Sequence, residues 1–259
     1  MDELVVVRGG GDLGTGTAWR LHRAGFPVIV LEIARPLTVR RSVAFSTAVT
    51  EGSSTVEGVK GVLVEDPDSA IRDGSVAVLV SETMPPLVTP PSVVIDARLA
   101  KERLDTNKEM APLVIGLGPG FVAGSDTHAV VETNRGHHLG RVLWDGPAEP
   151  DTGVPGTLGG ESARRVVRAT NSGDINWDLA IGDLVAEGDA LGRVDTTVVT
   201  APIAGVIRGL IAEGPVKAGL KIGDIDPRGD PSVCFEISDK SRSVAGGVLE
   251  AVMTWLDQP

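Results

Sequence analysis

The chain has 259 residues, 42% of them apolar, and its 24 basic against 35 acidic side chains leave a net charge of −11. That balance excludes a nucleic-acid surface or an anionic membrane as the expected partner, and 3% aromatic content without tyrosine leaves few base-stacking platforms. One cysteine, Cys234, excludes an internal disulfide and fits a cytoplasmic setting. Asp2 and Glu3 follow the first methionine and no apolar run approaches the ~18 residues of a span, so neither a signal peptide nor a membrane helix is expected.

Leu4-Val5-Val6-Val7 is a short apolar strand that runs into Arg8-Gly9-Gly10-Gly11-Asp12-Leu13-Gly14. Gly9, Gly11 and Gly14 fit the spacing of a dinucleotide-binding turn. The first glycine bends the chain, the second admits a pyrophosphate to the backbone, and the third lets a helix pack closely. Open N–H groups and the helix dipole favour an anion there, with Arg8, Gly10 and Asp12 completing the expected cofactor-binding loop. The next apolar run, Val28-Ile29-Val30-Leu31, ends in Glu32, where an NAD-type site places its ribose-binding carboxylate. The same glycines would also serve an α/β turn with a different ligand.

A helix is expected over 17–24, a break at Pro36 and a short helix over 39–52. Strands at 61–64 and 76–80 flank a helix near 67–71. Residues 93–96 form another buried strand, 97–104 a helix, and 113–115 a strand ending in Gly116-Leu117-Gly118-Pro119-Gly120. Continuous apolar runs alternating with helices predict an α/β fold, a Rossmann-like, doubly wound parallel sheet over residues 1–124. Ligands of such sheets bind at the carboxyl ends of the strands. The loop glycines, Glu32, Ser81, Asp96 with Arg98, and Gly116, Gly118 and Gly120 all fall at such ends.

Residues 125–161 read as a β-hairpin, 129–131 with 141–144, followed by a connection rich in glycine and proline. His128, His137 and His138 crowd here with Asp126, Glu132, Asn134 and Arg135. Residues four apart on a strand are separated by about 13 Å. His128 and Glu132 therefore could not share a metal at ligand distances of about 2 Å, and no metal is expected. A polar strand face lining a cleft, with His128, Glu132, Asn134, Arg135 and His137 on it, is the preferred reading.

Residues 162–259 change to short strands and turns. Residues 181–191 and 213–222 echo each other around Ala201-Pro202-Ile203-Ala204-Gly205, like the duplicated hairpins of biotinyl- and lipoyl-type barrel-sandwich domains. The turn Val194-Asp195-Thr196-Thr197 carries no lysine, so covalent biotin or lipoate is not expected. Asp224, Asp226 and Arg228 can do acid–base work or hold a divalent cation, and Asx turns in a solvated loop explain them as well; they are kept as cleft candidates. Cys234 is expected to be a buried apolar residue. A C-terminal helix over 244–256 would present Leu249, Val252, Met253 and Leu256 on one face.

Along nearly its whole length the chain resembles the YqeB-type accessory proteins of selenium-dependent molybdenum hydroxylases. The blocks that carry the resemblance are Val7-Arg8-Gly9-Gly10-Gly11-Asp12-Leu13, Leu21-His22-Arg23-Ala24-Gly25-Phe26-Pro27-Val28 and Ile115-Gly116-Leu117-Gly118-Pro119-Gly120-Phe121. Others are His128-Ala129-Val130-Val131-Glu132-Thr133-Asn134-Arg135-Gly136-His137, Lys221-Ile222-Gly223-Asp224-Ile225-Asp226-Pro227-Arg228 and Ile237-Ser238-Asp239-Lys240. A more distant likeness is to xanthine dehydrogenase accessory proteins. The resemblance implies maturation of a molybdenum hydroxylase, a client enzyme as partner, and a nucleotide or molybdopterin dinucleotide at the glycine loop. It supplies no catalytic residue. The residues leave two alternatives open. One is an NAD-dependent oxidoreductase using Glu32, with its acid–base group among the histidines. The other is a non-catalytic scaffold, and a homo-oligomer is compatible with each reading.

Overall fold

The computed structural model describes residues 2–100, 102, 104–151, 153, 156 and 160–258. It divides into two compact units: unit 1 comprises Met1–Pro36, Ala44–Thr152 and Ile237–Pro259, and unit 2 comprises Leu37–Val43 and Gly153–Glu236.

The strands of unit 1 are β1 (Val5–Arg8), β2 (Val28–Glu32), β3 (Ser53–Val56), β4 (Val59–Leu63), β5 (Val76–Val80), β6 (Val93–Asp96), β7 (Leu113–Leu117), β8 (Val122–Ala123), β9 (Ala129–Val131), β10 (Val142–Leu143) and β11 (Gly146–Pro147). Nine of them form one sheet in the order β10-β9-β7-β6-β1-β2-β5-β4-β3, while β8 and β11 pair separately. From β9 to β4 neighbours run parallel; the outer pairs, β9 with β10 and β3 with β4, are antiparallel. The helices are α1 (Asp12–Arg23), α2 (Ala48–Glu51), α3 (Pro67–Arg72) and α4 (Asp239–Leu256).

Alternating side chains of the central strands are buried on both faces. Val6, Ile29, Leu31, Ala77, Leu79, Val94 and Val114 share one face with Ala70 of α3. The helices α1 and α4 pack against each other through small residues. Gly16 lies against Ser241, and the Ser241 hydroxyl donates to the Asp12 carbonyl at 2.8 Å. Ser238 caps α4, its Oγ accepting from the Ser241 N–H at 3.1 Å.

The strands of unit 2 are β12 (Val166–Arg168), β13 (Gly173–Trp177), β14 (Leu184–Val185), β15 (Ala190–Val194), β16 (Thr197–Thr200), β17 (Gly205–Leu210), β18 (Gly214–Val216) and β19 (Lys221–Asp226). They form two four-stranded antiparallel sheets, β12-β19-β17-β14 and β16-β15-β13-β18. Between them lies a core that includes Ile175, Leu191, Val194, Ile207, Ile222 and Ile225. Each echoing segment places one strand in each sheet, β14 and β15 for the first, β18 and β19 for the second.

The expected fold class is thereby corrected. The large sheet is mixed, and among the described residues helices are few. A doubly wound sheet needs a helix in each crossover, whereas among the described residues of 97–112, which cross from β6 to β7, the one helical element is a 3-10 turn at Lys108–Met110. The expected helix over 97–104 is absent in its described part, residues 101 and 103 lying outside the described set. Residues 39–52 form 3-10 turns and the one-turn α2 instead of one helix, because β-branched residues and serines interrupt it. Unit 2 is a pair of antiparallel sheets in place of the expected biotinyl-type domain. Nor do the units divide at residues 124 and 161: α4 belongs to unit 1. Its buried face is Ser241, Val244, Ala245, Gly247, Val248, Ala251 and Val252, and Met253 is exposed. The helix–helix contact selects small side chains, which a stripe of large ones does not reveal.

Candidate functional site

The glycine loop is packed from within. Gly9 has φ +102°, and a Cβ there would lie 3.0 Å from the Ala97 carbonyl oxygen. A Cβ on Gly10 would meet the Ser46 backbone nitrogen at 2.9 Å, and one on Gly14 would meet the Gly9 carbonyl. The Ser46 N–H and the Thr15 hydroxyl both donate to the Gly10 carbonyl, at 2.9 and 2.8 Å. The Glu32 carboxylate accepts the Gly10 N–H through one oxygen and the Ile33 N–H through the other, each at 2.8 Å. Gly11 forms the N-cap of α1 without a side-chain cap, and Asp12 adds a second acid in the first turn. An anion thus already sits at the loop, and a pyrophosphate would face both its charge and the covering segment around Ser46. The dinucleotide spacing here serves close backbone packing.

The sheet reverses its strand order between β1 and β6, the place where open sheets of this kind form a crevice. A network of charges fills it. Arg8, 1% exposed, donates to Asp105 at 2.6 Å, to the Thr106 hydroxyl and to the Glu82 carbonyl at 3.2 Å. Arg98 pairs with Asp96 at 2.6 Å and with the other oxygen of Asp105 at 2.8 Å. The Thr106 hydroxyl donates to Asp96 at 2.7 Å. Burial raises the Asp105 pKa, but hydrogen bonds and charge from Arg8 and Arg98 outweigh it and hold the carboxyl at about 2. Desolvation lowers the Arg98 pKa, and Asp96 and Asp105 more than reverse that. Asp105 and Thr106 were not among the residues singled out from sequence; they lie in a stretch without apolar periodicity.

Farther along the same edge, Gly116 makes room for the Phe121 ring and Gly118, at φ +73°, for Thr133; Gly120 also has a positive φ, +106°. Glu132, 2% exposed, accepts the N–H groups of Asn134 and Glu149 at 2.6 and 2.7 Å. Glu149 in turn contacts Asn134 and His138 at 2.6 and 2.9 Å. Arg135 makes a two-point contact with Asp239. Close by in the first turn of α4, Lys240 faces Arg135, Asp12, Glu132 and Asp151. Burial and the Arg135 charge lower its pKa against the opposing pull of the three acids.

The other expected residues lie apart from this cluster. His128 accepts from the Val114 N–H at 3.0 Å, at the amino end of β7, so His128 and Glu132 stand at opposite ends of β9. Burial, with Lys108, lowers the His128 pKa. His137 is exposed and touches the His138 ring edge-on at 5.9 Å. Ser81 directly follows β5, with its N–H on the Glu32 carbonyl and its hydroxyl on that of Thr83. Asp224, Asp226 and Arg228 belong to unit 2. Among the described residues no three His, Cys, Asp or Glu side chains are grouped as metal ligands, and no helix is long and apolar enough to cross a membrane.

No protein-family model matches the chain. Over 99% of its length it is 46% identical to the uncharacterized protein YqeB of Escherichia coli (strain K12). The resemblance to YqeB-type proteins holds. The match covers 48% of that protein, so the chain spans about half the length of its YqeB relative. Solved structures with a partial likeness include a succinylglutamate desuccinylase of Silicibacter sp. TM1040, at 14% identity and TM-score 0.27 over 86% of this chain and 84% of that one. The ectoine utilization protein EutE of Ruegeria pomeroyi is at 14% and 0.32, over 86% and 85%. An aspartoacylase family protein of Mesorhizobium loti is at 12% and 0.28, over 86% and 84%. At these scores the likenesses assign no chemistry to the YqeB-like chain. With the loop filled by Glu32, the expected function is corrected. The maturation accessory with a nucleotide or molybdopterin at that loop, the NAD-dependent oxidoreductase and the hydroxylase-docking scaffold are all set aside.

Proposed function

We propose that unit 1 recognises a small carboxylate-bearing molecule at the β1–β6 crevice through Arg8 and Arg98. The observation that supports this is the position of Asp105: each of its oxygens is held by a different strand-end arginine, yet its side chain is 41% exposed. A ligand carboxylate in its place would keep the same charge balance and the same two charge-assisted bonds. Asp96, 3% exposed, stays behind as the fixed counter-ion that orients Arg98. The Arg8 guanidinium is already desolvated, so little further solvation is lost when a ligand docks on it.

Calorimetric titration of the chain with succinate tests the reading. Asp105→Ala is expected to tighten binding about tenfold or more, the value of one charge-assisted hydrogen bond. Adding Arg98→Met to that variant is expected to abolish the gain. Succinate affinity that ignores Asp105→Ala would overturn the assignment.

A further inference from the structure

The loop joining β9 to β10 holds a histidine whose two nitrogens are unequal. His138 meets one oxygen of Glu149 through Nδ1 at 2.9 Å, and the other oxygen accepts from the Asn134 amide at 2.6 Å. The bonds from His138 and then Asn134 hold the Glu149 carboxyl below its ordinary range, so it is ionised near neutral pH. An ionised carboxylate can only accept a hydrogen bond. Nδ1 therefore carries the proton, and the lone pair on Nε2 is the basic site of the ring. Nε2 has no hydrogen-bond partner among the described residues, and the side chain is 48% exposed.

The pair is held from beneath by a buried charge. Glu132, 2% exposed, accepts the backbone N–H groups of both Asn134 and Glu149. Its own backbone bonds to Arg141 and Gly140, each at 2.9 Å, and the Arg141 N–H donates to the His138 carbonyl at 2.9 Å. Gly140, at φ +83°, packs so closely on α4 that a Cβ would lie 2.6 Å from the Ser243 carbonyl oxygen. An exposed ion pair gains little from its charge and does not require such support. A base that has to keep one orientation gains from it directly.

We propose that His138 is a general base that takes a proton from water in the hydrolysis of a neutral carboxylic ester, with Glu149, Asn134 and Glu132 as positioning residues. No side-chain hydroxyl or thiol is bonded to Nε2 among the described residues, so water is the nucleophile. The water oxygen joins the acyl carbon as Nε2 takes the proton. The ester C–O bond then breaks and the proton passes to the leaving alkoxide, which yields a carboxylic acid and an alcohol and returns the imidazole to its neutral form. The negative charges of Glu149 and Glu132 strengthen the base and repel an anionic substrate, which favours neutral esters. This site is separate from the Arg8–Arg98 crevice and does not depend on it.

The test follows hydrolysis of 4-nitrophenyl acetate by the full chain, with the fold checked by circular dichroism. Saturable turnover is expected. His138→Gln should lower kcat about 100-fold, the lower end for loss of a general base. His137→Gln, which leaves the Glu149 contact in place, should keep the wild-type rate. Glu149→Gln should lower kcat about tenfold with KM unchanged, which separates positioning from binding. Free imidazole should restore turnover to His138→Gly and not to Glu149→Gln. Absence of saturable turnover, wild-type turnover in His138→Gln, or equal losses in His138→Gln and His137→Gln would overturn the assignment.

Discussion

Arg8 and Asp105 close a 2.6 Å ion pair across 97 residues of sequence, joining a buried guanidinium to a carboxylate that is 41% exposed. The Asp105 carboxyl is held at about 2, below the ordinary unfolded value of about 3.9, so its contribution to stability is present above about pH 4. It is lost as pH falls from there through about 2. Exposure screens the pair, so the effect is small and falls with added salt. Urea midpoints of the wild type and Asp105→Asn should differ by a constant amount above about pH 5 and converge between about pH 4 and 2. A difference that ignores pH over that range would show that another group carries the linkage.

The two carboxylates of the crevice should respond unequally to the same change. Asp96 is 3% exposed and accepts from Arg98 and Thr106. Asp96→Asn leaves those donors partly unmet in a buried place, at a cost of about 3 kcal/mol or more. Asp105→Asn, near solvent, should cost less than about 1 kcal/mol. Denaturant unfolding measures both, and equal losses would mean that Asp105 is as structural as Asp96.

Two adjacent glycines of α4 should move stability in opposite directions. A Cβ on Gly246 meets nothing within 4 Å, so Gly246→Ala removes backbone freedom from the unfolded chain and should stabilise by about 0.5–1 kcal/mol. A Cβ on Gly247 would run into the Gly140 carbonyl, and Gly247→Ala should destabilise by about 1–3 kcal/mol. Thermal melts of the two variants give the comparison. A destabilised Gly246→Ala would contradict the open space beside it.

The strands were legible because uninterrupted apolar runs such as Val5-Val6-Val7 and Val93-Val94-Ile95 allow little else. The glycine loop was legible as a tight turn at a helix start, but its occupant was not. Glu32 stands where the spacing rule places a ribose ligand, and it turns instead to the Gly10 N–H. Asp105 was hidden for a different reason. Its partners are fixed by a long crossover from β6 to β7 that has no helical or strand period to read. The strand spacing already separated His128 from Glu132 by about 13 Å in the sequence, and the structure places them at opposite ends of β9, so only their assignment to one cleft face fails.

Lys240 gives the last expectation, a residue that the sequence presents only within the block Ile237-Ser238-Asp239-Lys240. Burial first, and then the Arg135 charge, lower its pKa, while Asp12, Glu132 and Asp151 pull it upward. A lowered pKa means more free amine near neutral pH, so Lys240 should react with an amine acylating reagent at lower pH than an ordinary exposed lysine. Replacing Arg135 by methionine removes a repelling cation and should raise the Lys240 pKa. The expected result is slower labelling of Lys240 at pH 8, read by peptide mass spectrometry, with the rate for exposed Lys60 unchanged. Faster labelling in Arg135→Met would show that Arg135 acts by shielding the amine from the reagent and not through its charge.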